Sequence, residues 1–294
     1  MALPPSGRLA FTDIQTEFGG TEPIGLNEYY RGGPFVPVSS GTVNIPSSGT
    51  IAVSNFYGST DRIAIPLSIA TPTYNYNVYT QAIANPNYVA GISDTTVTVA
   101  PGVQVGSTST ATYAMQVPNT FNPNDTVTIV NNGVIQGRGG NGGAGRVGSA
   151  TGGAGLAGGN ALYVNRPTTI QNNSVIAGGG GGGGGASGTT PDKGPTYTGG
   201  GGGGGAGYDG GTGGGGPYPG APGTSSAGGA GATGNLSSQV GGPGGGRGAA
   251  GSNGSATGGA NPAPGGAGGA AGSYLVGNPF VTWTATGTRQ GPVS

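Results

Sequence analysis

The sequence predicts a mainly β or irregular protein with a small N-terminal docking module, an antiparallel β domain and a C-terminal polyglycine II helix bundle. Three observations predict it. Glycine supplies 73 of the 294 residues, and most of it follows Gly133, with unbroken runs at Gly178–Gly185 and Gly199–Gly205. Apolar and polar residues alternate in short stretches between about 61 and 136, the period of half-buried strands. A hexapeptide recurs three times before residue 60. The expected divisions are 1–60, 61–136, 137–272 and a closing C-terminal strand in 273–294.

The hexapeptide reads apolar, small, apolar, capping, polar, apolar: Leu9–Ile14, Ile24–Tyr29 and Ile51–Phe56. Each is expected to run from an extended piece into one helical turn, with Thr12, Asn27 and Ser54 as N-caps. Gln15 stands at the capping-box position of the first turn and Gly19 stops it. Three such turns offer little core, so the module is expected to be ordered on a partner. Its candidate docking residues are Phe11, Ile14, Phe18, Leu26, Tyr29, Tyr30, Phe56 and Tyr57.

In the second division, Tyr74–Val78, Thr95–Val99 and Asp125–Ile129 alternate as strands do. The third opens on a repeat: Thr128–Gly137 recurs as Thr169–Gly178, each with an Asn-Asn pair that bends the chain into glycine. Tyr274–Thr286, with the single Trp283, is expected to close the sheet.

Glycine runs bury no side chain, so the hydrophobic effect cannot fold them, and they lose more freedom on ordering than any other sequence. A linker would mix glycine with serine; here alanine recurs in register, as in Gly265–Ala270. Period three belongs to helices that leave every backbone donor and acceptor free. Such helices could bond to one another, the all-glycine runs inside and the Gly-Gly-Ala repeats outside. Each backbone hydrogen bond nets about 1 kcal/mol against an ordering cost of about 1–2 kcal/mol per residue, so the bundle needs a hydrophobic footing.

Composition removes several functions. Nine basic and nine acidic residues leave no net charge, and no basic patch invites nucleic acid. Histidine and cysteine are absent, which removes imidazole bases, thiol nucleophiles and most transition-metal sites. No stretch approaches a membrane span, and no phosphate-loop motif surrounds the glycines. No catalytic residue, metal ligand or cofactor is expected. Asp192 and Asp209 could be paired as glycosidase carboxylates, but both lie in loops without an apolar pocket. The irregular glycine frame also lacks the flat repetition of an ice-binding face.

Thr128–Ile135, followed by Gly-Arg-Gly-Gly-Asn-Gly-Gly at 137–143 and by Asn-Asn-x-Val-Ile-Ala-Gly before a polyglycine run, resembles the tail-fibre tip adhesins of T-even-type bacteriophages. The resemblance covers about 125–294. It implies a polyglycine II lattice whose connecting loops grip a bacterial surface receptor, protein or polysaccharide. Residues 1–60 resemble instead a module at the head of other tailed-phage structural proteins, through Phe-Gly-Gly, Glu-Tyr-Tyr-Arg-Gly-Gly and Ser-Asn-Phe-Tyr-Gly at 18–20, 28–33 and 54–58. That implies a virion protein docked on tail or fibre proteins, multimeric by virion symmetry, made in the host cytoplasm. The alternative is a purely structural virion protein: a spacer, tail-tip or head-decoration component.

A lattice of uniform backbone cannot itself be specific, so recognition is expected in the loops. Ala186–Thr198 carries Asp192, Lys193 and Tyr197; Gly207–Gly223 carries Tyr208, Asp209 and Tyr218. These six are the candidate receptor-binding residues, tyrosine being a low-entropy interface anchor. Asn235–Val240 and Ser252–Thr257 are secondary loops. Arg138, Arg146 and Arg247 are expected to bond orphan carbonyls at helix ends.

Overall fold

The computed structural model describes residues 2–190, 196–256 and 263–294. The chain divides into two compact units: Met1–Leu67 with Thr80–Thr96 and Thr120–Val127, and Ser68–Tyr79 with Val97–Asn119 and Thr128–Ser294.

The first unit is built on the hexapeptides. The first forms helix α1, Phe11–Phe18; the others form single 3-10 turns at Leu26–Glu28 and Val53–Phe56. Their caps are not Thr12, Asn27 and Ser54. The N-cap is the small second residue, Ala10, Gly25 or Ala52, and the fifth residue reaches back to it. Asp13 accepts the Ala10 N–H at 2.8 Å, Glu28 that of Gly25 at 2.9 Å and Asn55 that of Ala52 at 2.8 Å. A residue three positions into a turn can satisfy the N-cap amide, which is why acid or amide recurs there. Gly19 ends α1 at φ +81°, its N–H bonding the Gln15 carbonyl.

The sixth residue of every hexapeptide, Ile14, Tyr29 and Phe56, is fully enclosed. They meet Leu3, Phe18, Val36 and Ile45 in one core, against which Phe11 and Leu26 also pack. Phe11 and Phe56 both stand edge-on to Tyr29, with centroids 5.7 Å and 6.2 Å away. The module thus has a core of its own, contrary to the expectation of order borrowed from a partner.

Among the described residues fourteen strands form three sheets, ordered β1-β4-β7-β10-β13, β14-β11-β8-β5-β2 and β12-β9-β6-β3. The first holds Ile63–Ile69 (β1), Ser93–Val99 (β4), Thr126–Asn131 (β7), Thr168–Asn172 (β10) and Val281–Ala285 (β13). The second holds Thr73–Tyr74 (β2), Gln104–Gly106 (β5), Val134–Gln136 (β8), Val175–Ala177 (β11) and Thr288–Gln290 (β14). The third holds Tyr76–Asn77 (β3), Met115–Val117 (β6), Leu162–Val164 (β9) and Leu275–Val276 (β12).

Neighbours in a sheet lie three strands apart in the chain, so each turn of the backbone lays one strand on each face: a parallel coil. The antiparallel β domain expected from the alternation is therefore corrected: the paired strands run parallel, as in β10 with β7 and β13, or β11 with β8 and β14. Alternation shows which face is buried but not which strand lies beside it. The Thr128–Gly137 repeat is one side of the coil seen twice, for Thr169 pairs with Thr128, Ile170 with Ile129 and Ile176 with Ile135.

Three rows of side chains run through the second unit: Ile129, Ile170 and Trp283; Val105, Ile135, Ile176 and Arg289; Met115, Leu162 and Leu275. The isoleucines, both leucines, Val105 and Met115 are fully buried. At the last turn Arg289 lies 5.0 Å over the Trp283 ring and 5.8 Å over that of Tyr274, closing the apolar rows with a cation on aromatic faces. The corner between the first two sheets is an asparagine ladder. Buried Asn131 donates to Asn172 Oδ1 at 2.8 Å, and Asn172 donates to the Thr286 carbonyl at 2.8 Å.

The corner between the second and third sheets holds the insertions. It is residue 75 alone on the first turn, then 107–114, then 137–161, then 178–274. Nearly all the glycine-rich sequence thus leaves the coil at one corner.

The expected bundle of polyglycine II helices is also corrected. Among the described residues from 137 to 272 there is no helix. Those segments are irregular, and along the central one hydrogen bonds leave the segment instead of running along it. Gly179, Gly182 and Gly185 donate to Gly159, Leu156 and Gly153; Gly180, Gly183 and Ala186 donate to Ala206, Gly203 and Gly200; Gly181, Gly184 and Ser187 donate to Ala249, Ser252 and Ser255. Three further segments, around Gly143, Gly245 and Gly269, donate back to its carbonyls. Six strands of backbone surround one, and Ile176–Gly188 and Thr198–Gly207 are continuously buried. A Cβ at Gly182 would fall on the Asn141 carbonyl oxygen and one at Gly203 on that of Gly229. In the Gly-Gly-Ala repeat the alanines face outward: Ala267 and Ala270 are exposed while Gly266 and Gly269 are buried.

Candidate recognition surface

The glycine-rich segments run back and forth, so their connections collect at two ends. One end meets the coil: Gly178 donates to the Gln290 carbonyl and Tyr208 to that of Gly137. The other end is reached ten residues along, where Thr189 and Tyr197 bridge in antiparallel fashion, as do Val147 and Thr198, and Thr233 and Val240.

The six candidate receptor-binding residues divide between these ends. Tyr208 and Asp209 lie at the coil end. The Tyr208 ring stands edge-on to Tyr74, centroids 4.6 Å apart, and occupies the space a side chain at Gly106 would need. The Tyr74 hydroxyl donates to Asp209 Oδ1 at 3.3 Å. Desolvation, then the bond to Tyr208 and the Asp209 charge, push the Tyr74 phenol up. This loop is fastened to the coil.

Tyr197 and Tyr218 lie together at the far end, each partly exposed. Asp192 and Lys193 fall outside the described residues. Around the two tyrosines stand Val147, 57% exposed, Leu236, 37% exposed, and the exposed Arg146, Ser149 and Thr190. Polar side chains tie the loops together. The Thr190 N–H donates to Ser149 Oγ at 3.2 Å, the Thr198 N–H to Asn235 Oδ1 at 2.6 Å and Asn235 Nδ2 to the Tyr218 hydroxyl at 3.1 Å. Asn235 and Gln239 were the signal in the secondary loop Asn235–Val240 that sequence reading passed over, because nothing local says which loop an amide will reach.

Arg138 and Arg247 donate to the carbonyls of Thr108 and Ser225 in neighbouring connections, which are not the helix ends expected. Of the docking candidates, Ile14, Phe18, Tyr29 and Phe56 belong to the module's core, and Tyr30 and Tyr57 donate their hydroxyls to Gly49 and Gly7. Among the described residues no cluster of acids could hold a metal ion, and no helix is long and apolar enough to cross a membrane.

A chain whose short-strand coil carries a backbone-bonded block ending in exposed polar loops is built to present a surface. From residue 64 in β1 to residue 294 it matches the family model described as phage tail fibre adhesin Gp38. The chain belongs to this family, and is thus an adhesin of a bacteriophage tail fibre. Its fold resembles a chain in the crystal structure of the gp37-gp38 adhesin tip complex of the bacteriophage S16 long tail fibre, with a TM-score of 0.56 and 23% identity over 84% of this chain and 88% of that one. No curated protein matches it.

Proposed function

We propose that this adhesin binds a bacterial surface receptor, without enzymatic chemistry, through the far-end loops of its glycine-rich region. Tyr197 and Tyr218 serve as anchors, with Asp192 and Lys193 alongside in sequence. The observation that supports this reading is the placement of two tyrosines, a leucine, a valine and an arginine on interlocked loops, above a block whose sides offer little but backbone and methyl groups. Tyr208 and Asp209 act differently, holding the block to the coil. Residues 1–60 dock the chain on a tail-fibre protein, as the relative from phage S16 stands in complex with gp37. The enclosed aromatics shape that module, and its exposed Val38 and Val43 offer apolar contact.

Replacing both Tyr197 and Tyr218 by Ala should lower adsorption to host cells about tenfold or more, since interface tyrosines are frequent hot spots. Replacing the exposed Ser237 by Ala on the same rim should change it little. Unchanged adsorption in the tyrosine pair would overturn the assignment. Repeating the assay on protease-treated cells separates a protein receptor from a polysaccharide.

A further inference from the structure

Resting on that reading, we infer that Gln239 is a positioning residue that locks the recognition loops into one surface from beneath it. Its side chain has no solvent exposure, so it cannot touch a receptor. Its main-chain N–H closes its own turn onto the Leu236 carbonyl at 2.9 Å. The carbonyl accepts the N–H groups of Gly200 at 3.1 Å and Gly234 at 2.8 Å, which holds the segments together. The side-chain amide serves only loops: Nε2 donates to Thr189 Oγ1 at 3.3 Å and Oε1 accepts the Leu236 N–H at 3.4 Å.

That geometry joins two connections directly and a third at one remove. Thr189 bridges Tyr197, so the amide reaches the first tyrosine through the 188–198 connection. Leu236 follows Asn235, which holds the Thr198 N–H and the Tyr218 hydroxyl. Two loops therefore share one enclosed amide, and the third is linked to it through Asn235. A long polar side chain costs free energy to bury unless bonded, and glycine or alanine would satisfy the segment's main-chain bonds equally well. What glycine could not do is fix the loops relative to one another. Loops held in their bound geometry beforehand lose less entropy on binding.

The test uses the full-length protein and intact host cells, reading the dissociation constant, the unfolding midpoint and amide exchange at Leu236. Gln239→Met keeps the volume and main-chain bonds but removes both side-chain bonds. It should weaken cell binding about tenfold, the equivalent of one or two hydrogen bonds, and speed exchange at Leu236, with the midpoint nearly unchanged. Thr189→Val cuts the same tie from the partly exposed side and should weaken binding as Gln239→Met does. If the Tyr197/Tyr218 pair loses binding while Gln239→Met and Thr189→Val bind normally, the positioning role is overturned and the recognition site stands. It is also overturned if binding falls only in step with the midpoint. If none of these variants loses binding, the recognition site itself is wrong.

Discussion

Gly182→Val is expected to unfold the glycine-rich block. Gly182 donates to Leu156 and accepts from Gly269, and its Cβ would fall on the Asn141 carbonyl oxygen. Main chain cannot rotate aside as a flexible side chain can, so the segments must separate. Overpacking alone costs about 1–3 kcal/mol, and each backbone bond stretched open adds about 1 kcal/mol. Several neighbours move together, so the expected loss is roughly 4 kcal/mol or more. That is a large share of a stability of about 5–15 kcal/mol. Gly203→Val, in the second buried run, should behave alike, its Cβ falling on the Gly229 carbonyl oxygen. Ala267→Ser is the control: the residue is exposed, and the change should stay within about 0.5 kcal/mol. Thermal or denaturant unfolding of the three variants measures the contrast.

Asn172→Leu should be the next most damaging change. The leucine keeps the branched shape, but Asn172 is fully buried and fully used. Its Oδ1 accepts from Asn131 Nδ2 and the Ser174 N–H, while its Nδ2 donates to the carbonyls of Thr286 and Thr288. Leucine abandons the groups on the last turn of the coil, at about 1–3 kcal/mol for each one left buried and unpaired. A loss of roughly 3 kcal/mol is expected. It should be local, with limited proteolysis cutting first within 281–290. Uniform cleavage along the chain would show that the ladder does not hold that turn.

The repeated asparagines were legible because a ten-residue stretch recurs with seven positions identical, and the pairing of Thr169 with Thr128 shows why. That the strands are parallel was not legible. Strands of two to seven residues separated by glycine and asparagine look the same whether the chain turns back or turns a corner. The hexapeptide revealed its turns but not its caps: Thr12, Asn27 and Ser54 have capping chemistry, yet the side chains that bond are one residue later.

The glycine runs announced that backbone alone must enclose them, and Gly182 and Gly203 show the closeness that requires. Sequence could not tell which loops share an end. Tyr208 and Tyr218 are ten residues apart, yet the chain crosses the block between them, so one joins the coil and the other the exposed rim. The family was legible from the junctions of asparagine and glycine, which lie within the matched residues 64–294.

The account depends on main-chain hydrogen bonds between glycine segments holding the loop-bearing end in place. Amide hydrogen exchange resolved to single residues across Gly179–Gly185 and Gly199–Gly205 tests this most directly. Protection close to that of the enclosed coil strands, such as Ile170 and Ile176, is the predicted result. Exchange at the rate of an unstructured chain would contradict it, because loops carried on an unbonded segment could not keep Tyr197 and Tyr218 on one surface.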